Sequence, residues 1–227
     1  MSTFSKHRDA PGPGAQRTFA LVAGASQFAA LAAQLYLIVH NVTDDGGSAW
    51  TAVWRFFSFF TILTNAMVCA AWLAPFLLPG FGLSRLVALP RVVTGFTASI
   101  VLVGIGYSLL LRHVWNPTGL QKIVDVALHD ATPVLFFVYW LVWIPKRSIQ
   151  WRDVLWWMAY PLVYLAYAVT LGAATGWFAY YFLDFRAVGI AHVAVMYAGL
   201  SLGFVAIGVG LIAIARIVSG ARSAPSA

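Results

Sequence analysis

The sequence predicts an all-α integral membrane protein, a bundle of six transmembrane helices with both termini in the cytoplasm. Three observations lead to this fold class. The 227 residues are 61% hydrophobic and only 9% charged, whereas about a quarter of the residues in a soluble domain are charged. The mean hydropathy is +0.82. The apolar residues also occur in runs of about twenty, the helix length that crosses a bilayer core of about 30 Å. A soluble domain, a coiled coil and a disordered chain are thereby excluded.

The six apolar runs divide the chain into one membrane domain, residues 18–215, and two short tails, residues 1–17 and 216–227. The spans are predicted near residues 18–40, 55–78, 92–112, 124–144, 154–172 and 190–215. Pro161 interrupts the fifth span. Proline is tolerated in a membrane helix when neighbouring groups satisfy the carbonyl that it frees, so this span is retained.

The distribution of basic residues predicts the orientation. Six spans place both termini on one side, and that side carries ten of the fourteen Lys and Arg residues. The four on the other side are Arg55, Arg112, Lys122 and Arg186. Basic residues are enriched in cytoplasmic loops, so both termini are predicted to be cytoplasmic. The same enrichment explains the net charge of +7, and no nucleic-acid partner is required.

The second span carries four polar side chains within eight residues, in the sequence WRFFSFFTILTNAMVCA. Ser58, Thr61 and Asn65 are predicted to share one helical face, with Thr64 one turn below Thr61. Polar groups are costly inside a membrane, so this cluster is a candidate functional site. The alternative is that these side chains join neighbouring helices through hydrogen bonds.

The fourth span begins KIVDVALHDATPVLFF and contains a histidine between two acids. Asp125 lies four residues before His129, so its carboxylate is predicted one turn from the imidazole and able to orient it. Asp130 points about 100° away from His129. Both acids remain candidates for the partner of this histidine.

Thr61 and His129 are predicted at matching depth in the membrane. Thr61 lies about 9 Å beyond Arg55 along the second span, and His129 lies about 10 Å beyond Lys122 along the fourth. A hydroxyl and a base at the same depth are the pair that nucleophilic catalysis requires.

An aromatic segment, GWFAYYFLDFRAVG, joins the fifth and sixth spans. Its two possible roles are an anchor in the membrane interface and a lid over a cavity that opens on that side.

Two other functions are consistent with parts of the sequence. His40, His113, His129 and His192 lie near one side of the membrane, as in a metal or haem protein, but HExxH and CxxC motifs are absent and no metal site is predicted. A small transporter would place polar groups across the full thickness of the membrane, usually with internal repeats. Here the polar groups are concentrated in the half predicted to face outward.

Three stretches together resemble the androgen-induced and androgen-dependent family of six-helix membrane hydrolases, and most closely its bacterial branch. They are FFTILTN at 59–65, LHDATPVLFF at 128–137 and WFAYYFLDF at 177–185. The resemblance implies hydrolysis of fatty acid esters of hydroxy fatty acids (FAHFA), or of similar acyl esters, in a bacterial cytoplasmic membrane. It implies a lipid ester that enters from the bilayer, contact with membrane lipids, and no metal or organic cofactor, while the sequence predicts no particular protein partner.

The resemblance also implies roles for individual residues. Thr61 matches the family's nucleophile, with Thr64 as the alternative one helical turn away, and His129 matches the family's base. Asp125 or Asp130 would then orient the imidazole.

The remaining polar residues are expected to support these two. Asn65 or Thr64 would donate a hydrogen bond to the oxyanion, and Ser58 belongs to the same cluster. Tyr180, Tyr181 and Asp184 would belong to a lid over the substrate. At Tyr181 the chain departs from the family, which has proline at this position.

Overall fold

A computed structural model describes residues 12–221, which form helices and no strand. The α-helices of this part of the chain are α1 (Pro13–Asp44), α2 (Ala49–Phe56), α3 (Phe60–Leu77), α4 (Gly82–Val87), α5 (Pro90–Gly106), α6 (Gly119–Val126), α7 (Thr132–Trp143), α8 (Asp153–Thr175), α9 (Phe185–Val188) and α10 (Ile190–Ala221). A π-helical turn, Tyr107–Leu111, extends α5, and a second, Ala127–Ala131, joins α6 to α7. A short 3₁₀ turn, Tyr181–Leu183, precedes α9.

The predicted fold class is confirmed: among the described residues, six helices are long and apolar enough to cross a membrane. They are Pro13–Asp44, Phe60–Leu77, Pro90–Leu111, Gly119–Trp143, Asp153–Thr175 and Ile190–Gly220. The first helix begins inside the predicted tail 1–17, because Pro13 is favourable in the first turn of a helix. The last continues past residue 215. Residues 1–11 and 222–227 of the predicted tails lie outside the described part of the chain.

Helix α5 lies at the centre of the bundle, where it packs against α3, α7, α8 and α10, while α1 packs against α2, α3, α6 and α7. The largest fully buried side chains in the core are Trp72, Trp140, Phe136 and Phe204. Trp140 donates its indole N–H to Thr94 Oγ1 on α5, at 2.9 Å. The buried indole N–H thus has a hydrogen-bond partner, as a buried tryptophan usually does.

The second predicted span, 55–78, is wrong as a single helix. Helix α2 ends at Phe56 and α3 begins at Phe60, so Ser58 lies in the break and shares no helical face with Thr61 and Asn65. The depth calculated for Thr61 from Arg55 assumed an unbroken helix, and that premise fails. Two hydrogen bonds stabilise the break, one within the local segment and one from another helix.

In this break, Ser58 Oγ donates to the Trp54 carbonyl at 2.7 Å, and the hydroxyl of Tyr164 on α8 donates to the Ser58 carbonyl at 3.0 Å. Backbone groups that leave a helix inside a membrane protein need such partners, because lipid offers none. The break therefore depends on contacts with a helix about a hundred residues away in sequence.

The segment after α8 folds back onto that helix because two glycines allow it. Gly176 ends α8 with a φ of +76°, a conformation that residues with a side chain rarely adopt. At Gly172, a Cβ atom would lie 2.1 Å from the ring of Phe178, so only glycine permits this close approach. The segment then enters the bundle at Tyr180, which is buried.

Candidate active site

A cavity of about 380 Å³ lies between α1, the break before α3, α5, α6 and the segment that contains Tyr180. Thr61 and His129, the two residues predicted to be catalytic, both line it. Asp125, Tyr107 and Tyr180 line it as well. Polar side chains from four distant parts of the sequence thus surround one space.

Asp125 holds His129 in one orientation. His129 Nδ1 lies 3.2 Å from the Asp125 carboxylate oxygen Oδ1 and 3.0 Å from the Asp125 backbone carbonyl. Both neighbours of Nδ1 are acceptors, so Nδ1 carries the proton of the neutral ring and Nε2 keeps a free lone pair. Within residues 12–221, Nε2 has no hydrogen-bond partner. His129 Nε2 is therefore available to accept a proton at the wall of the cavity.

Tyr107, which the sequence analysis did not identify, completes this arrangement. Its hydroxyl donates to Asp125 Oδ2 at 2.5 Å, and its ring stacks on the imidazole of His129 with centroids 4.1 Å apart. The Asp125 side chain is only 3% exposed, and a buried carboxylate is stable only with such partners. The sequence signal for Tyr107 was its own hydroxyl, a polar group near the end of the otherwise apolar third span.

Both π-helical turns lie at this site, one carrying Tyr107 and the other His129. In the first turn the Arg112 N–H donates to the Tyr107 carbonyl, five residues back, at 2.9 Å. Single π-helical turns inside α-helices occur frequently at functional sites, since they shift side chains relative to the rest of the helix. Periodicity in the sequence predicts regular helices here and does not predict these shifts.

Asn65 connects the turn that carries Thr61 to the π-helical turn Ala127–Ala131. Pro133 has no N–H, so in the π-helical register the Leu128 carbonyl loses its donor within the helix. Asn65 Nδ2 donates to this carbonyl at 3.3 Å and to the Thr61 carbonyl at 2.9 Å. Both N–H groups of the amide are thus engaged. Asn65 therefore positions the site, and its predicted donation to an oxyanion does not fit this geometry.

Thr61 is the second residue of α3 and is 8% exposed. The Tyr180 hydroxyl lies 3.3 Å from Thr61 Oγ1 and accepts a hydrogen bond from the Thr61 N–H, also at 3.3 Å. This N–H is free to bond outside the helix because the first turn of a helix leaves its donors unpaired. Burial raises the pKa of Tyr180, so its hydroxyl stays protonated and able to donate. Thr61 and His129 do not hydrogen-bond to each other directly.

The remaining predicted polar residues lie away from these reactive groups. Thr64 is fully buried and its Oγ1 pairs with the Tyr160 hydroxyl at 2.9 Å, outside the cavity lining. Asp130 forms an ion pair with Arg112 and leaves His129 to Asp125. Ser58 belongs to the break before α3. Of the alternatives that the sequence left open, Thr61 lines the cavity and Thr64 does not, and Asp125, not Asp130, contacts His129.

The three residues predicted to form a lid have different positions. Tyr180 is buried beside Thr61, whereas Tyr181 lines the cavity, is half exposed and donates its hydroxyl to the Leu110 carbonyl at 3.3 Å. Asp184 caps the short helix α9 by accepting hydrogen bonds from the N–H groups of Arg186 and Ala187. Asp184 thus stabilises the segment and does not line the cavity.

The histidines near this side of the membrane do not converge on one point. His40 pairs with Asp44 on the same helix, at 2.6 Å, and His113 and His192 are exposed. Across residues 12–221, no three His, Cys, Asp or Glu side chains come close enough together to hold a metal ion. In this part of the chain, the four histidines that the sequence analysis grouped together therefore do not form one metal-binding cluster.

We compared the chain with family models, curated proteins and solved structures, and found no match in any of the three. The function is therefore argued from the geometry and chemistry of the cavity.

Proposed function

We propose that this multi-pass membrane protein is an intramembrane hydrolase of lipid acyl esters, with Thr61 as nucleophile and His129 as base. The main support is that both residues line one cavity while Asp125 orients the imidazole. A nucleophile, a base and a group that orients the base are the three components of acyl transfer in hydrolases. FAHFA are the esters that the sequence resemblance implies, and other acyl esters share the same chemistry.

The proposed reaction proceeds in two halves. His129 Nε2 accepts the proton of Thr61 Oγ1 as this oxygen attacks the ester carbonyl carbon. The tetrahedral intermediate then expels the alcohol oxygen, which receives the proton from His129, and the acyl group remains on Thr61. In the second half His129 deprotonates a water molecule, which attacks the acyl carbon. The bond from this carbon to Thr61 Oγ1 then breaks, Oγ1 receives the proton back from His129, and the free acid is released. Hydrogen bonds between such groups often tighten only when substrate is bound.

The negative oxygen of the tetrahedral intermediate needs hydrogen-bond donors, and two are available beside Thr61. One is the Thr61 backbone N–H, and the other is the Tyr180 hydroxyl, 3.3 Å from both the nitrogen and Oγ1 of Thr61. Donors that are already in place stabilise developing charge effectively in a site from which water is excluded. In this proposal the substrate's carbonyl oxygen replaces the Tyr180 hydroxyl as the acceptor of the Thr61 N–H.

The cavity walls suit a lipid. Most of the lining is aliphatic or aromatic, including Ile38, Phe56, Phe59, Ile62, Leu111 and Val114. Gln34 and Gln121, which hydrogen-bond to each other at 2.8 Å, add polar groups at another part of the wall. A lipid ester would enter sideways from the bilayer. As part of the same proposal, the protein lies in a bacterial cytoplasmic membrane with both termini in the cytoplasm.

The proposal is tested by incubating the purified protein in detergent with a FAHFA and with simple acyl esters, and measuring the fatty acid released. The wild-type protein is expected to release acid from at least one of them. His129→Ala should lower kcat by about a thousandfold or more, because threonine is a weak nucleophile without a base. Gel filtration and thermal unfolding check that the variant is folded. Release from no ester by the wild type, or full activity of His129→Ala, would contradict the proposal.

Removing the hydroxyl of Tyr180 should slow the chemical step. For Tyr180→Phe, kcat is expected to fall by about a hundredfold with little change in KM, because one oxyanion donor is lost while the cavity keeps its shape. Tyr181→Phe is the matched control: its hydroxyl bonds a backbone carbonyl away from Thr61, and kcat should stay near the wild-type value. A loss confined to KM, or equal losses in both variants, would count against an oxyanion role for Tyr180.

A further inference from the structure

A second, smaller cavity of about 80 Å³, called the narrow cavity to distinguish it from the first, wide cavity, also has Thr61 in its lining. The two cavities share Thr61, Tyr107, Leu111 and Tyr180 as lining residues. The other residues that line the narrow cavity belong to α3, α5 with its π-helical extension, α8, α10 and the 3₁₀ turn, and none of them belongs to α1 or α6. The residue proposed as nucleophile is therefore part of the wall of both cavities.

The walls of the two cavities differ in chemistry. The narrow cavity is almost wholly apolar, and Phe60, Leu102, Val103, Leu110 and Leu200 line it without lining the wide one. The wide cavity contains His129 and Asp125, neither of which reaches the narrow one. His129 and Asp125 therefore line only the wide cavity.

This asymmetry determines how an ester can bind. The oxygen that leaves with the alcohol must receive a proton from His129, so the alcohol portion has to occupy the wide cavity. The carbonyl carbon is at Thr61, and the acyl chain then extends in the remaining direction. We propose, on the basis of the function proposed above, that the acyl chain of the substrate occupies the narrow apolar cavity and the alcohol portion occupies the wide cavity.

Each cavity contains a small apolar residue that the other lacks, and this permits a symmetrical test. Gly106 lines only the narrow cavity, and a Cβ atom added there meets no other atom within 4 Å. Ala179 lines only the wide cavity. Gly106→Leu therefore fills space on the acyl side, and Ala179→Leu fills space on the alcohol side.

The substrates for the test are two isomers, butyl octanoate with a long acyl chain and octyl butanoate with a long alcohol. They have the same composition and differ only in which side of the ester is longer. A pocket that loses space for one or two methylene groups discriminates by about tenfold or more. Gly106→Leu should shift the ratio of kcat/KM values about tenfold against butyl octanoate, and Ala179→Leu should shift it about tenfold against octyl butanoate.

Using the ratio removes any effect of a general loss of folding or activity, because both esters are measured with the same preparation. Leu200→Phe, which also narrows only the acyl side, provides a second variant and should shift the ratio in the same direction as Gly106→Leu. Shifts in the opposite directions, or no shift in any variant, would overturn the assignment while leaving the hydrolase in place. If the wild type hydrolysed neither isomer nor any other ester, the proposed function would fail and this assignment with it.

Discussion

Thr61→Ala is expected to lower kcat/KM for a hydrolysed lipid ester by about 10⁴-fold or more. In the proposed mechanism the Thr61 hydroxyl oxygen forms the covalent bond to the acyl group, and removal of the nucleophile from hydrolases that form an acyl intermediate has effects of this size. The measurement is the release of fatty acid from detergent-solubilised lipid ester, with variant and wild type at equal concentration. Loss of one methyl and one hydroxyl group at the second residue of α3 leaves the apolar core untouched.

Thr64→Val is the matched control for this prediction. Thr64 has the same side chain on the same helix, but its hydroxyl bonds Tyr160 and does not line the cavity. Its loss should reduce stability by about 1 kcal/mol and leave the catalytic rate close to that of the wild type. If Thr64→Val abolished hydrolysis and Thr61→Ala preserved it, Thr64 would be the nucleophile. Thr61→Ser keeps the hydroxyl and loses only the methyl group, so it should retain measurable activity. It thereby separates the effect of losing the hydroxyl from the effect of losing packing.

Asp125→Asn is expected to lower kcat by about 10³- to 10⁴-fold, while substrate binding changes little. An amide at this position donates a hydrogen bond towards Nδ1 of His129, where the carboxylate accepts one. The amide N–H favours the tautomer with the proton on Nε2, against the Asp125 backbone carbonyl, which still accepts from Nδ1–H. The neutral amide also no longer stabilises the imidazolium that the proposed reaction forms. The measurement is kcat and KM for the same lipid ester, combined with thermal unfolding to show that the variant is folded.

The control for Asp125→Asn is the neighbouring acid, Asp130. Asp130 pairs with Arg112 at an exposed position, and exposed ion pairs contribute about 1 kcal/mol or less to stability. Asp130→Asn should therefore keep nearly all of the activity. Equal losses in the two variants would show that Asp125 has no special relation to His129, and a larger loss for Asp130→Asn would transfer the orienting role to Asp130.

The predicted fold depended mainly on local composition, and this is why the sequence was sufficient for it. In lipid, a run of about twenty apolar residues has to form a helix, whatever its neighbours are, because only then do its backbone N–H and C=O groups all find hydrogen-bond partners. The six spans were therefore found with errors of only a few residues at most ends. The break at Ser58 was missed because a hydroxyl from α8 stabilises it, and no local pattern contains that information.

The candidate site was predictable where its contacts lie within one helix. Asp125 and His129 are four residues apart, so their contact follows from helical spacing, although the π-helical turn between them does not. Tyr107 belongs to another helix and reaches Asp125 only through packing. The same holds for Tyr180, whose predicted place in a lid gave no reason to expect its hydroxyl beside Thr61.

Composition and spacing alone were thus enough to define a six-helix membrane protein with polar clusters in its second and fourth spans. The tertiary structure decided which members of those clusters face a common cavity. Thr61 and His129 line the same cavity because Asn65 joins their two turns and because Tyr180 enters the bundle from a segment that glycines fold back. The physical reason is that helical periodicity determines which side chains share a face, whereas contacts between helices determine what that face meets.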